Sequence, residues 1–377
     1  MEGSMTDDPF AQIVDGLYAG TLDDAAWGRA LVGIADAVRA SGAILLAFNP
    51  QTGAVLREEN HRFCPDTAEG YRKHWSSRDC RLEHCLPLPV GQPVTETLLQ
   101  MPGWNRTPIL NEFLRPADAP HFMPAWLHKA PSKAVTLSLQ GTRKRGPFES
   151  TDLETFRRVL PHVRRALEIR DRLQNAQVRA DSLAECLNGL SFGVLVLDDD
   201  GKLLEGNGVA DKILRSDDGV SRRPDGTLTL NDPGGSEFAR WIKSGEPPRS
   251  GDGLFHSRRH GALPLSILLT PLPRQGTAWI SRDPRWLVLI FDPEQRVEAS
   301  LETIARDLGV SSSEARVAGL VAAGYSLCEI AKRLRVSEHT VRAQLKAVFR
   351  KTGTGTQANL VRRIALGPAT IRWPARI

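Results

Sequence analysis

The sequence predicts a multidomain α+β protein: two α/β sandwich domains joined by a long helix and followed by an all-α domain. Three observations predict it. The chain has 377 residues, more than one ordinary domain holds. Up to about residue 293, strand-like apolar runs alternate with helix-like spacings of three and four, interrupted by a heptad-like stretch over 152–190. Beyond residue 300 the pattern is helical throughout and carries the positive charge. Residues 301–377 hold 13 Lys/Arg against 5 Asp/Glu, a surplus of 8, which leaves 36 against 39 in the first 300 and a whole-chain charge of +5. A basic module on a mildly acidic body is the electrostatic footprint of a polyanion binder, with a solvated basic face as the plain alternative.

Residues 8–150 form the first predicted domain. "FAQIVDGLYAG" and "AAWGRALVGIADAVRA" read as helices, "GAILLAFN" as a strand ending in a turn, and "KAVTLSLQGTRKRG" as a late strand. A Pro-, Trp- and His-rich region over about 85–131 reads as irregular. Residues 151–190 follow as a connecting helix. Leu153, Phe156, Leu160, Val163 and Leu167 form one stripe, and Ile169, Leu173, Ala176, Ala180, Leu183, Leu187 and Leu190 a second with a changed phase. Pro161 is expected to kink this helix or to mark a fresh start. The stripe calls for a partner: a second copy in a parallel dimer, or a neighbouring domain.

Residues 191–295 begin again with "FGVLVLDDDGKLLEGNGVADKIL": strand, Asp-Gly turn, strand, then a helix with Asn207 near its start. "RWLVLIFDPE" closes as a strand, and 225–262, rich in Gly, Pro, Ser and Arg, reads as a long loop. The pattern resembles a PAS domain, a small antiparallel sheet with helices on one side. Both sandwich domains are therefore expected to be of the sensor type, GAF- or PAS-like.

The last module, 300–368, contains "SSSEARVAGLVAAGYSLCEIAKRLRVSEHTVRAQLKAVFRKTG". Ser312 is expected to cap a helix to about 322, stopped at Gly324; a second helix covers 327–334; Ser337 caps a third to about Lys351. Two short helices joined by "RVS", the second rich in donors, is the helix-turn-helix plan. The segment resembles the LuxR family of bacterial transcriptional regulators through Glu314, Gly324, Glu329-Ile330-Ala331, Ser337, Thr340 and Val341, then Lys351–Gly353 and Gln357–Val361. Arg335 stands where the family often has Gly at the turn, and Lys351-Thr352 where a Lys-Leu pair is usual.

The resemblance implies a four-helix helix-turn-helix domain that binds double-stranded DNA as a dimer. His339, Arg342, Ala343, Lys346 and Arg350 share one helix side, which would face the major groove. By the family analogy Arg342, Ala343 and Lys346 approach bases, while Thr340, Lys351 and the N–H groups near Ser337 position phosphates. The fourth helix, Gln357–Leu366, would join the dimer in the family, or simply pack on the core.

"GYRKHWSSRDC" places Tyr71, Trp75 and Asp79 at steps of four. This is similar to the aromatic-x3-aromatic-x3-Asp pattern of acyl-homoserine-lactone receptors in the same family, although Cys80 replaces the usual Pro. There the aromatics wall a pocket and the Asp accepts from the ligand amide, so a small-molecule ligand is implied; a helix turning two aromatics to its own core is the alternative.

Other chemistries find less support. Cys80, His84 and Cys85, with His61 and Cys64, lack zinc-finger spacing, and neither metal nor cofactor is expected. Asp198–Asp200 reads as a hairpin turn rather than a phospho-acceptor. There is no Walker loop, G-x-S-x-G or H-E-x-x-H, so no enzyme is expected. Without an 18-residue apolar run or a signal-peptide pattern, and with an odd number of scattered cysteines, the expectation is a cytoplasmic protein off the membrane. A regulator under phosphorylation or partner control, or a dimeric scaffold, is the other class left open.

Overall fold

The computed structural model describes residues 8–244, 253–273, 282–295 and 300–370. The chain divides into two compact units, the first extending to Val178 and the second beginning at Arg179. No helix among the described residues is long and apolar enough to cross a membrane.

The first unit opens with α1 (Pro9–Ala19) and α2 (Asp24–Ala37), each started by an aspartate, Asp8 and Asp23, whose carboxylate accepts from a backbone N–H two residues on. Strands β1 (Gly42–Phe48) and β2 (Val55–His61) follow. Then come the short helices α3 (Pro65–Gly70), α4 (Arg81–Cys85) and α5 (Glu96–Leu99), with π-helical turns at Tyr71–Trp75 and Ile109–Leu114. Strands β3 (His121–Ala130) and β4 (Lys133–Gly141) complete an antiparallel sheet of order β2-β1-β4-β3. Because side chains alternate along a strand, the sheet has two distinct faces. One carries Ala43, Leu45, Met123, Leu137 and Leu139 into a core with α1, α2 and α6 (Ser150–Asn188). The other turns Leu46, Phe48 and Trp126 toward the short helices.

Two strands depart from the sequence expectation. β2 carries Arg57, Glu58, Glu59 and Asn60, and β3 contains Pro124 inside the stretch read as irregular. Both lie at sheet edges, where a polar strand stays wet on one side and a proline costs no ladder hydrogen bond.

Helix α6 runs unbroken through Pro161. A mid-helix proline costs about 3 kcal/mol. Here Phe156, Val159, Leu160 and Val163 are each at most 1% exposed around it, and burying a large apolar side chain contributes about 1.5–3 kcal/mol. Arg170, 5% exposed, ties the same stretch down: its Nη1 donates to Gly20 O (2.7 Å), its Nη2 pairs with Asp24, and its guanidinium lies over the Trp27 ring. From Leu173 onward the helix is different. Leu173, Val178, Leu183 and Leu187 are all exposed. The first stripe therefore serves the domain, and the second meets solvent.

In the second unit, β5 (Gly193–Leu197), β6 (Leu203–Gly206), β9 (Leu254–Ser257), β10 (Leu265–Pro271) and β11 (Trp286–Phe291) form an antiparallel sheet of order β6-β5-β11-β10-β9. Between them lie α7 (Gly208–Ser216), the hairpin β7 (Val220–Arg222) and β8 (Leu228–Leu230), and α8 (Gly235–Ser244). Leu195, Ile267, Trp286, Val288 and Ile290 meet Ala210, Phe238 and Ile242 in one core. Asn207 caps α7 by accepting from Ala210 N and also accepts from Val194 N, both at 3.0 Å. Asp198 accepts from the N–H groups of Asp200 and Lys202, the geometry of a hairpin turn. The expected loop over 225–262 instead contains β8, α8 and β9; residues 245–252 lie outside the described residues. Each of these elements is short enough that Gly and Pro at its borders outweigh its few apolar residues in the sequence pattern.

The last described stretch is helical: α9 (Leu301–Leu308), α10 (Ser312–Ala322), α11 (Leu327–Leu334), α12 (Glu338–Thr352) and α13 (Gln357–Ala365). The expected cap, Ser312, is the first helical residue of α10, and Ser311 is the cap. The reason is Glu314: three residues after Ser311 it completes a capping box, its carboxylate accepting from Ser311 N at 2.7 Å. Ser326 and Glu329 repeat the device on α11. Gly324 (φ +84°) and Gly353 (φ +67°) take left-handed backbone just after their helices, and Arg335 (φ +54°) does so at the turn. Ile304, Val317, Ile330, Val341, Val348 and Leu360, all fully buried, join the five helices in one core.

Candidate functional site

The candidate nucleic-acid interface is the outer side of α12. Ser337 Oγ accepts from Thr340 N (3.1 Å), so the cap role of Ser337 is real and its hydroxyl is also 2.8 Å from Thr340 Oγ1. From there the helix sorts its residues by side. Val341, Leu345 and Val348 are buried. His339, Arg342, Ala343, Lys346, Arg350 and Lys351 are exposed, and Thr340 is half-buried. A packed inner stripe fixes the helix, and long donors project from the outer side. That arrangement can present hydrogen bonds to base edges in a groove of helix width.

Two of those cations already have partners. Arg342 Nη2 donates to Glu338 Oε1 (2.6 Å), one turn back on the same helix. With side-chain exposures of 64% and 44%, this pair is held weakly and can exchange for a base. Lys351 differs. Its Nζ donates to Glu314 Oε2 (2.6 Å), and Glu314 is only 11% exposed. The ammonium and the Ser311 N–H hold the Glu314 carboxyl down at about 2. Glu314 thus caps α10 and clamps α12 to it, a role no spacing rule reveals because the partners are 37 residues apart.

A pH dependence follows. A carboxyl depressed in the fold adds stability above its ordinary value and loses that stability as pH falls toward the folded value. The helical domain of the intact protein is expected to soften as pH drops from about 5 toward about 2. Glu314→Gln should melt lower at neutral pH and show a flatter acid limb. Circular-dichroism melts at stepped pH would check this; identical acid limbs would remove the clamp.

The candidate ligand site lies in the first unit, on the sheet face opposite α6. A cavity there has about 870 Å³ of empty space, counting its open mouth, and Tyr71, Asp79, Arg81, Phe113, Phe122 and Trp126 are among its walls. The predicted residues do not sit on one continuous α-helix. Tyr71 and Trp75 occupy a π-helical turn, and Asp79 is extended beyond a short 3-10 turn. Tyr71 and Asp79 nevertheless meet: Tyr71 Oη donates to Asp79 Oδ2 (2.9 Å). Trp75 stacks on Phe113, centroids 5.9 Å apart, and lies behind that wall.

Arg81 was not legible in the sequence pattern. Its Nε and Nη2 donate to Asp79 Oδ1 (2.9 Å) and Oδ2 (2.7 Å), and its backbone N–H adds a third bond to Oδ1 (3.0 Å). Both Asp79 oxygens are therefore engaged within the protein. Burial above all, then the Asp79 charge, pushes the Tyr71 hydroxyl well above its ordinary range, so it stays a donor. Among the described residues no group of three or more His, Cys, Asp or Glu side chains could hold a metal. Cys85 is buried, which pushes its thiol up to about 12 and keeps it unreactive.

Taken together, a capped helix pair joined by a left-handed turn, with the second helix exposing a donor-rich side, defines a helix-turn-helix DNA-binding domain. Residues 308–364 match the family described as bacterial regulatory proteins, luxR family. This segment, α10 to α13, is a LuxR-family helix-turn-helix domain, preceded by α9. No curated protein sequence matches the chain. Solved structures similar to it include the DhaR(N)–DhaL complex of E. coli (16% identity, covering 77% of this chain and 91% of that one, TM-score 0.34). Others are the VqsR LBD domain from Pseudomonas aeruginosa (11%, 45% and 98%, TM-score 0.35) and SdiA of Escherichia coli in complex with octanoyl-rac-glycerol (10%, 95% and 95%, TM-score 0.28). At these TM-scores the likenesses support no statement about this chain's ligand.

Proposed function

We propose that this chain is a sequence-specific, DNA-binding transcriptional regulator that acts as a dimer and responds to a signal received by its N-terminal domains. The observation that carries the reading is the sorting of α12 in a LuxR-family domain: inner stripe buried, His339, Arg342, Ala343, Lys346 and Arg350 all exposed. Arg342 and Lys346 read base edges, Ala343 leaves room for a thymine methyl, and Ser337, Thr340 and Lys351 set the phosphate register. Residues 191–295 act as a PAS-like domain, in keeping with their five-stranded antiparallel sheet and the helices α7 and α8 in its core. The cavity beside Tyr71 and Asp79 receives a small molecule. The test is salt-dependent binding of the purified protein to fragments of its own upstream region, beside an Arg342→Ala, Lys346→Ala variant. Weak binding to every fragment, equal in both proteins, would reject the reading.

The dimer seam is assigned to the second stripe of α6, since a single helix-turn-helix binds weakly and paired half-sites need paired modules. Leu173, Ala176, Ala180, Leu183 and Leu187 recur at heptad spacing and are all exposed. Leu173→Arg with Leu183→Arg is expected to give a monomer by analytical ultracentrifugation, with the melting temperature of the first unit almost unmoved. A variant that stays dimeric would move the seam elsewhere.

A further inference from the structure

The cavity wall formed by the sheet carries an imbalance of polar atoms. Gln140, on β4, is 4% exposed and lines the cavity. Its Nε2 donates to Ser138 Oγ (2.8 Å), yet its Oε1 has no hydrogen-bond partner among the described residues. Asn60, on β2, lines the same cavity, and its Oδ1 is likewise buried and unpartnered. Register puts the two on one face: Ile44 of β1 pairs with Asn60 on one side and Ser138 on the other, and Gly42, two residues back, pairs with Gln140. Two strand steps of about 4.8 Å, with an offset of two residues along the strand, separate the two positions by roughly 12 Å.

Charge narrows the occupant further. The cation on the wall, Arg81, is matched by Asp79, and the carboxylate is in turn saturated by Arg81 and Tyr71. Neither is left to anchor an ion. Glu58, on the same β2 face as Asn60, lines the cavity as well, and its Oε2 is buried without a hydrogen-bond partner; burial disfavours its charged form and raises its pKa, which Arg72, 3.8 Å away, partly offsets. Most of the remaining wall is apolar, with Leu46, Phe63, Phe122 and Trp126 among it, and Thr67, Thr136 and Ser138 add hydroxyls.

We propose that the cavity takes a neutral, mainly apolar molecule bearing hydroxyl or N–H donors, anchored on the Asn60 and Gln140 side-chain carbonyls rather than on Asp79. This rests on the reading of the first unit as a ligand-binding domain. A buried acceptor without a partner costs free energy that a donor on the ligand recovers, and an otherwise similar molecule lacking the donor does not.

Three matched probes test it by calorimetry and thermal shift on the full chain: 1,2-decanediol, 1,2-dimethoxydecane and decanoate. The diol's vicinal hydroxyls reach one of the two carbonyls at a time, so it is expected to bind roughly tenfold tighter than its ether, the worth of one well-made hydrogen bond, with decanoate weaker than both. In Asn60→Leu, Gln140→Met the two neutral probes should bind alike, and the ligand-free variant should melt higher because the unpartnered amides are gone. Equal binding of diol and ether to the unaltered protein would overturn the donor assignment while leaving the cavity a ligand site. Preferential binding of decanoate would overturn the neutrality. No heat and no shift from any probe would reject the cavity as a site for such amphiphiles, and the donor assignment with it.

Discussion

Arg342→Ala should weaken binding to the cognate site by about 1–3 kcal/mol, roughly 5- to 150-fold, while changing affinity for unrelated DNA little. The expectation rests on geometry: Arg342 is exposed on the outer side of α12 and its present partner, Glu338, is itself exposed. Breaking an exposed pair on one helix costs the domain only about 0.3–0.5 kcal/mol, so stability and recognition separate cleanly in this variant. Lys346→Ala, adjacent on the same side, should add its own loss. Glu338→Gln should move affinity the other way, because it removes the carboxylate that competes with DNA for the guanidinium. Fluorescence anisotropy on labelled upstream fragments at several salt concentrations measures all three. A uniform loss on every sequence would reassign Arg342 to phosphate contact, and a melting temperature that falls with Arg342→Ala would make it structural. Lys351→Ala behaves differently: it frees Glu314 from its clamp, so a stability loss should accompany any loss of DNA affinity.

Asp79→Ala is expected to destabilise the first unit by about 3–5 kcal/mol, the cost of leaving a buried charge without its partner. The Arg81 side chain is 12% exposed and Asp79 2%, and Tyr71 would lose its acceptor as well. The replacement Asp79→Leu with Arg81→Met should cost much less than Asp79→Ala alone, since both charges leave together. Urea denaturation followed by tryptophan fluorescence would measure the difference. Should Asp79→Ala change stability by less than about 1 kcal/mol, the ion pair is no pillar of this wall. The point matters for function: a variant of Asp79 that ignores its ligand would report a collapsed wall, not a lost ligand contact. A loss of response in Gln140→Met, with the unit still folded, is the informative result.

The helical domain was readable because its signals are local. The cap at Ser337, the stop at Gly324 and apolar steps of three and four all act within one or two turns, and the cap of α10 was missed by one residue only. The outer side of α12 followed from the same periodicity. For the cavity, steps of four suggested that Tyr71, Trp75 and Asp79 line one pocket; Tyr71 and Asp79 do line it and Trp75 does not, but not for the reason of a shared helix side. The chain leaves the α-helix at Tyr71 and brings the two together through a π-turn and an extended Asp79.

Composition and short-range pattern were enough to establish a basic, all-helical terminal module, the donor-rich side of its third expected helix, and α/β domains before it. Edge strands β2 and β3 could not be seen that way, since their polar and proline residues make sense only once a sheet gives them an edge to occupy. Nor could the split of α6 into a buried stripe and an exposed one, which depends on where α1, α2 and the sheet end. The Glu314–Lys351 clamp, the Arg81–Asp79 pair and the unpartnered amides of Asn60 and Gln140 belong to the same group. The clamp joins residues 37 apart in the chain, while the Arg81–Asp79 pair and the amides sit where the fold excludes water. Spacing along the chain carries no record of that exclusion, and it is the exclusion that gives those charges and amides their energy.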